Sequence, residues 1–133
     1  MRDLLFASCA SPVVYDFCIH MHDNLLQKGR ELFNSGRFFE AHEVWEDLWR
    51  ETVGLERSWI QALVQVAAAL HHASRNNHTG ALSLLEKAAI RLTYCPGDFQ
   101  GLAIANFRQA IAGWIEELRT NRRLSRIALN SAN

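Results

Sequence analysis

The segment 59–73, Trp-Ile-Gln-Ala-Leu-Val-Gln-Val-Ala-Ala-Ala-Leu-His-His-Ala, constrains the fold of this chain more than any other. Wound as a helix it is apolar nearly all the way round, so other elements must enclose it. Gln61, Gln65, His71 and His72 interrupt it, and it falls short of the ~20 apolar residues that span a bilayer. It therefore reads as the central helix of a core. A chain of 133 residues, 49% of them hydrophobic, has enough apolar material to wrap such a rod as one domain. Only two prolines and seven glycines argue against an all-β or loop-rich alternative.

Four further helices follow from the i, i+3, i+4, i+7 rule. The first is expected over 23–34, capped by Asp23 and stopped by Gly36, with Leu25, Leu26, Leu32 and Phe33 on one side. The second, over 38–52, aligns Phe38, Ala41, His42, Trp45, Leu48 and Trp49, and Gly54 ends it. The central helix extends over 56–76 and closes at Asn76-Asn77. The fourth, over 79–94, packs through Ala81, Leu84, Leu85, Ala88 and Leu92 and stops at Pro96-Gly97. The fifth, over 98–119 with Asp98 as cap, presents Ile104, Phe107, Ile111, Trp114, Ile115 and Leu118.

Short connections make neighbours antiparallel. The expected fold is all-α, about five antiparallel helices in a compact bundle of stacked helical hairpins. An internal echo supports the hairpins. The run from Gly36 through Ala41 to Trp45 and Glu46 returns forty positions later as Asn76 through Ala81 to Leu85 and Glu86. A turn followed by a helix that opens on a small alanine is the arrangement of tetratricopeptide-like pairs. Residues 1–20 show no sustained period and contain Ser11-Pro12, so they read as a flexible arm; 21–120 form the domain, and 121–133 a polar tail.

The totals also limit function. Lys plus Arg and Asp plus Glu are 14 each, and a net charge of zero argues against wrapping a nucleic-acid backbone. The cluster Arg119, Arg122, Arg123 and Arg126 is read first as complementing the negative end of the last helix, with a grip on an anion or nucleic acid as the last-ranked alternative. Three widely spaced cysteines, Cys9, Cys18 and Cys95, form neither a zinc pair nor a disulfide framework, which points to a reducing, cytoplasmic setting. Leu4 to Cys9 has the outline of a lipoprotein signal, but Asp3 and the short apolar run speak against it, and no membrane attachment is expected.

The chemically informative residues lie on the second and third helices. His42 falls among Phe38, Trp45 and Trp49, and Glu46 follows one turn later, where the two can share a proton or a metal ion. Glu43 sits further round and Glu40 almost opposite. On the central helix Gln61, Gln65, Ala68 and His72 make a polar strip. If the two helices form a hairpin about Gly54, then His42, Glu46, Gln65 and His72 converge between them, and buried polar groups must find partners there.

The run Phe33-Asn34-Ser35-Gly36-Arg37-Phe38-Phe39-Glu40-Ala41-His42-Glu43-Val44-Trp45-Glu46-Asp47-Leu48-Trp49 resembles the opening motif of the small helical proteins known as domain of unknown function 309. The run from Gln61 to His72 resembles that family's second motif, as does Gly80-Ala81 with Leu84, Leu85, Glu86 and Lys87. The resemblance covers about residues 22–95 and implies an all-helical bundle without an established activity. It would put Glu40, His42, Glu43, Trp45, Glu46, Gln65 and His72 on motif positions. Ala62 stands where the second motif usually carries glycine, which would tighten helix approach or narrow a cavity there.

Two functional expectations follow. The first is a non-enzymatic binding module, with a buried His/Glu/Gln network and a protein partner or a second copy of the chain. The alternative is a metal-assisted hydrolase, in which His42, Glu46 and His72 hold a divalent metal and Glu43 acts as base.

Overall fold

The computed structural model describes residues 17–95 and 103–121. They form five α-helices: α1 (Phe17–Asn34), α2 (Phe38–Arg50), α3 (Leu55–Ser74), α4 (His78–Thr93) and α5 (Ile104–Asn121). Among the described residues there is no strand, and no helix is long and apolar enough to cross a membrane. The all-α bundle is the fold that the helical periodicity demands. Each helix packs chiefly on its neighbour in the chain, α1 on α2, α2 on α3, α3 on α4 and α4 on α5.

Several boundaries differ from the sequence reading. α1 opens at Phe17, so Asp23 lies inside the helix instead of capping it; no Gly or Pro between Phe17 and Asp23 interrupts the winding. α2 stops at Arg50, where Glu51 N donates to Leu48 O at 3.1 Å and tightens the last turn. α5 opens at Ile104, with Ala103 O accepting from Phe107 N; Asp98 and Pro96-Gly97 lie outside the described residues, as do residues 1–16 of the expected arm and 122–133 of the tail.

α3 is the enclosed rod. Ile60, Ala62, Leu63, Val66, Ala67, Ala69, Leu70 and Ala73 are all shut off from solvent. α3 packs on α4, whose buried Ala81 and Ala88 are small enough to let the two axes come close.

The internal echo is a repeated corner. Gly36 (φ 83°) and Asn76 (φ 66°) both take the left-handed conformation. In each corner the next amide closes on the preceding helix: Arg37 N donates to Leu32 O at 2.9 Å, and Asn77 N donates to His72 O at 2.8 Å. The following helices bury matching positions, Ala41 with Ala81, Trp45 with Leu85 and Leu48 with Ala88. Two helical hairpins with one geometry therefore stack, and α5 closes the group through Trp114, whose ring lies 6.2 Å from Phe33 of α1.

Trp45 is the largest fully buried side chain. Its indole lies directly on the backbone of α1 at Gly29, and Nε1 donates to Leu26 O at 3.2 Å. A methyl at Gly29 would overlap Nε1, Cδ1 and Cε2 of that ring, which has no empty space to retreat into. Gly29→Ala is expected to destabilise the domain by about 1–3 kcal/mol in urea unfolding. Gly113→Ala serves as the contrast, since nothing lies within 4 Å of its added Cβ. That change should stabilise by up to about 1 kcal/mol through helix propensity. Equal effects at the two positions would contradict the close contact.

Candidate functional site

α2 turns Phe38, Ala41, Trp45 and Leu48 inward. At 100° per residue this leaves His42, Glu46 and Trp49 half-buried along one edge and puts Phe39 and Glu43 outside. Phe39 stacks on His42 one turn away, with ring centres 6.0 Å apart and planes at 20°. Across the helix boundary Phe39 meets His71 of α3 at 5.2 Å, and His71 in turn lies 6.1 Å from His72. The site is thus a row, His42, Phe39 and His71, along the seam of α2 and α3, with His72 beside His71 at the α3–α4 turn.

The expected convergence of His42, Glu46, Gln65 and His72 is not what forms. Glu46 faces Arg50 on its own helix, 3.8 Å away, and Arg50 also holds Asp47 at 2.6 Å. Glu40 pairs with Arg37, whose guanidinium lowers the carboxyl pKa by donating to it. Glu43 is exposed. Gln65 turns to α4, where its Oε1 accepts from Arg91 Nε at 3.4 Å. His72 meets the α3–α4 turn, with its Nδ1 3.2 Å from Asn77 Nδ2. Gln65 and His72, seven residues apart, do share a face as the spacing requires, but that face looks toward α4 and its turn. The member of α3 that meets α2 is His71, about 120° round from Gln65.

Hydrogen bonding fixes one ring. Asn77 Oδ1 accepts from Gly80 N at 3.0 Å and caps α4, so its amide N–H points to His72. His72 Nδ1 must then accept, which leaves the proton of the neutral ring on Nε2. His42 Nδ1 is enclosed and has no hydrogen-bond partner among the described residues. Burial, helped by Arg75, His72 and His42, pushes the His71 pKa down, so this imidazole is neutral at pH 7.

Among the described residues no three His, Cys, Asp or Glu side chains stand close enough to hold a metal ion together. The carboxylates lean toward arginines and leave the imidazoles beside an aromatic ring. Such a surface can stack, pack and exchange neutral hydrogen bonds. Phe39 and His71 were not among the residues singled out by pattern. A signal for Phe39 existed, since adjacent Phe38 and Phe39 cannot both face the core of a helix. Elsewhere, Trp49 is covered by the Arg57 guanidinium at 3.9 Å. Arg119 is engaged by Glu86, and Arg122, Arg123 and Arg126 lie outside the described residues.

The lowered pKa of His71 makes stability depend on pH. The unfolded chain binds the proton more readily, so the contribution of the neutral ring is complete above about pH 6.5 and is lost as pH falls from there through the lower pKa of the folded state. His42, His72 and Arg75 face the same ring and sharpen the effect. Melting curves between about pH 7.5 and pH 5 should fall more steeply for the natural chain than for His71→Gln. Superimposable slopes would refute the burial of a neutral His71.

Residues 26–84 match the family model described as "Domain of unknown function (DUF309)". A protein of Aquifex aeolicus (strain VF5), itself described as an uncharacterized protein, is 27% identical over 85 residues. That alignment covers 63% of this chain and 26% of the relative, so the chain spans about a quarter of the length of the curated relative it matches. The matched segment begins at Leu26, whose carbonyl receives Trp45, and ends at Leu84 on the second hairpin. Over the whole of the repeated corner and the Phe39–His71 seam, this chain therefore matches the DUF309 family, a domain of unknown function.

Proposed function

We propose that this domain is a non-enzymatic interaction module that binds another polypeptide through the seam of α2 and α3 around Phe39. One observation carries the reading: Phe39 is 48% exposed although it sits on a rigid helix and is backed by His42 and His71. The inner face of α2 is already filled by Phe38, Ala41, Trp45 and Leu48, so the core has no use for a further aromatic ring. An exposed ring held in place by neighbours loses little entropy on binding and suits an interface anchor. Covering its remaining surface would contribute about 1 kcal/mol.

The rival reading, hydrolysis by a metal on His42, Glu46 and His72, would need three donors that here face His71, Arg50 and Asn77. A cytoplasmic location is part of the proposal, supported by the thiol of Cys95, which is unpaired and held protonated by burial. So is the treatment of residues 21–120 as one functional unit.

The test compares the natural chain with Phe39→Ser and with Val53→Ser, a control at another exposed apolar residue. Each is immobilised in an extract of the source organism, the retained proteins are quantified, and self-association is followed by sedimentation. Phe39→Ser should lose its partner, or its second copy, by at least about tenfold with unchanged helicity, while Val53→Ser retains it. Indifference to Phe39→Ser in both assays would overturn the proposal.

A further inference from the structure

A second surface lies on the other side of α3. There an open groove of about 340 Å³ runs between α3 and α4, lined by Gln65, Lys87, Ile90 and Arg91. Beside it lies apolar surface unusual for the outside of a helix: Ile90 of the lining is 63% exposed, and Tyr94, one turn on at the helix end, is 80% exposed. α4 meets its core through Ala81, Leu85, Ala88 and Leu92, so among the described residues most of the surface of these two side chains is left to solvent. Together they form an apolar strip beside two cations.

The cations themselves are the stronger clue. Arg37, Arg50 and Arg119 each have a carboxylate partner. Among the described residues Lys87 and Arg91 show none, as is also true of Lys28, Arg75 and Arg108, but these two stand together at i and i+4 on the groove, where like charges repel. Arg91 is half-buried and tethered: its Nε donates to Gln65 Oε1 at 3.4 Å, and its carbonyl accepts from the Cys95 thiol. The tether holds the guanidinium at the groove and spends only Nε, so both Nη groups keep the donors that can fork a carboxylate.

We infer that the α3–α4 groove is a docking site for an acidic peptide, with Arg91 and Lys87 receiving carboxylates and the Ile90–Tyr94 strip receiving an apolar side chain between them. Charge complementarity selects this occupant: a neutral peptide would bury two uncompensated cations, which is costly. The site is separate from the Phe39 seam and stands or falls independently of it.

The probe is a fluorescein-labelled peptide built of Glu and Leu, titrated into the full chain at about 50 mM salt and followed by anisotropy. Saturable binding is expected, with at least a tenfold loss in Lys87→Glu/Arg91→Glu and a several-fold loss in Ile90→Ser. Lys87→Arg should restore the affinity of a Lys87→Ala chain. Phe39→Ser should bind like the natural chain, and the same peptide with Gln for Glu should not bind. Absence of saturable binding would overturn the inference, as would affinity unchanged by the double charge reversal. Binding that ignores Ile90→Ser and Tyr94→Ser but vanishes with salt would reduce the site to unspecific charge attraction and would also overturn it. Self-association of the natural chain that Lys87→Glu/Arg91→Glu abolishes would assign the groove to a second copy instead.

Discussion

The distance between α1 and α2 is set by Trp45 lying on Gly29. Because α1 offers bare backbone there, the indole can drop onto it and reach the carbonyl of Leu26. Phe33 then takes a central place, 5.7 Å from Trp45, 5.1 Å from Phe38 and 6.2 Å from Trp114, so one aromatic group ties α1, α2 and α5. Trp45 also fixes the rotation of α2 about its own axis. With that ring inward, Phe39 has to face outward and His42 has to lie along the edge, where α3 brings His71 against Phe39. The proposed interaction surface is in this sense a by-product of how the core is anchored.

The helices were legible because apolar spacing reports directly which side of a rod avoids water. The second helix shows this well: Phe38, Ala41, Trp45 and Leu48 are the buried set that the spacing identifies. The site was less legible, and the reason lies in α3. A helix that is apolar all round gives no hydrophobic reference for its orientation, so spacing could group Gln65 with His72 but could not say which neighbour they face. They face α4 and its turn. The contacts of the carboxylates were hard to read for a different cause. Glu40 and Glu46 each have an arginine three or four residues away, at the cap or on the same helix, and such local pairs form with less loss of freedom than contacts across helices.

The repeated corner separates what is structural from what is distinctive. Gly36 and Asn76, Ala41 and Ala81, and Trp45 and Leu85 do equivalent work in the two hairpins. The outward positions do not correspond. Where α2 carries Phe39 and His42, α4 carries Thr79 and Leu82, and the exposed apolar residues of α4 sit at its far end, at Ile90 and Tyr94. One backbone unit used twice thus presents two unlike surfaces, one aromatic and uncharged, the other apolar and basic.

The pairing of each helix with its chain neighbour has a kinetic consequence. Most contacts join residues close in sequence, and even the bond from Trp45 to Leu26 closes a short loop. Chains with such local topology search few conformations before productive contacts form, and domains of this kind fold within microseconds to milliseconds. Either hairpin can assemble first and offer a template to the other, so the order of events is set by which turn closes sooner, Gly36 with its freer backbone or the side-chain-capped turn at Asn76-Asn77.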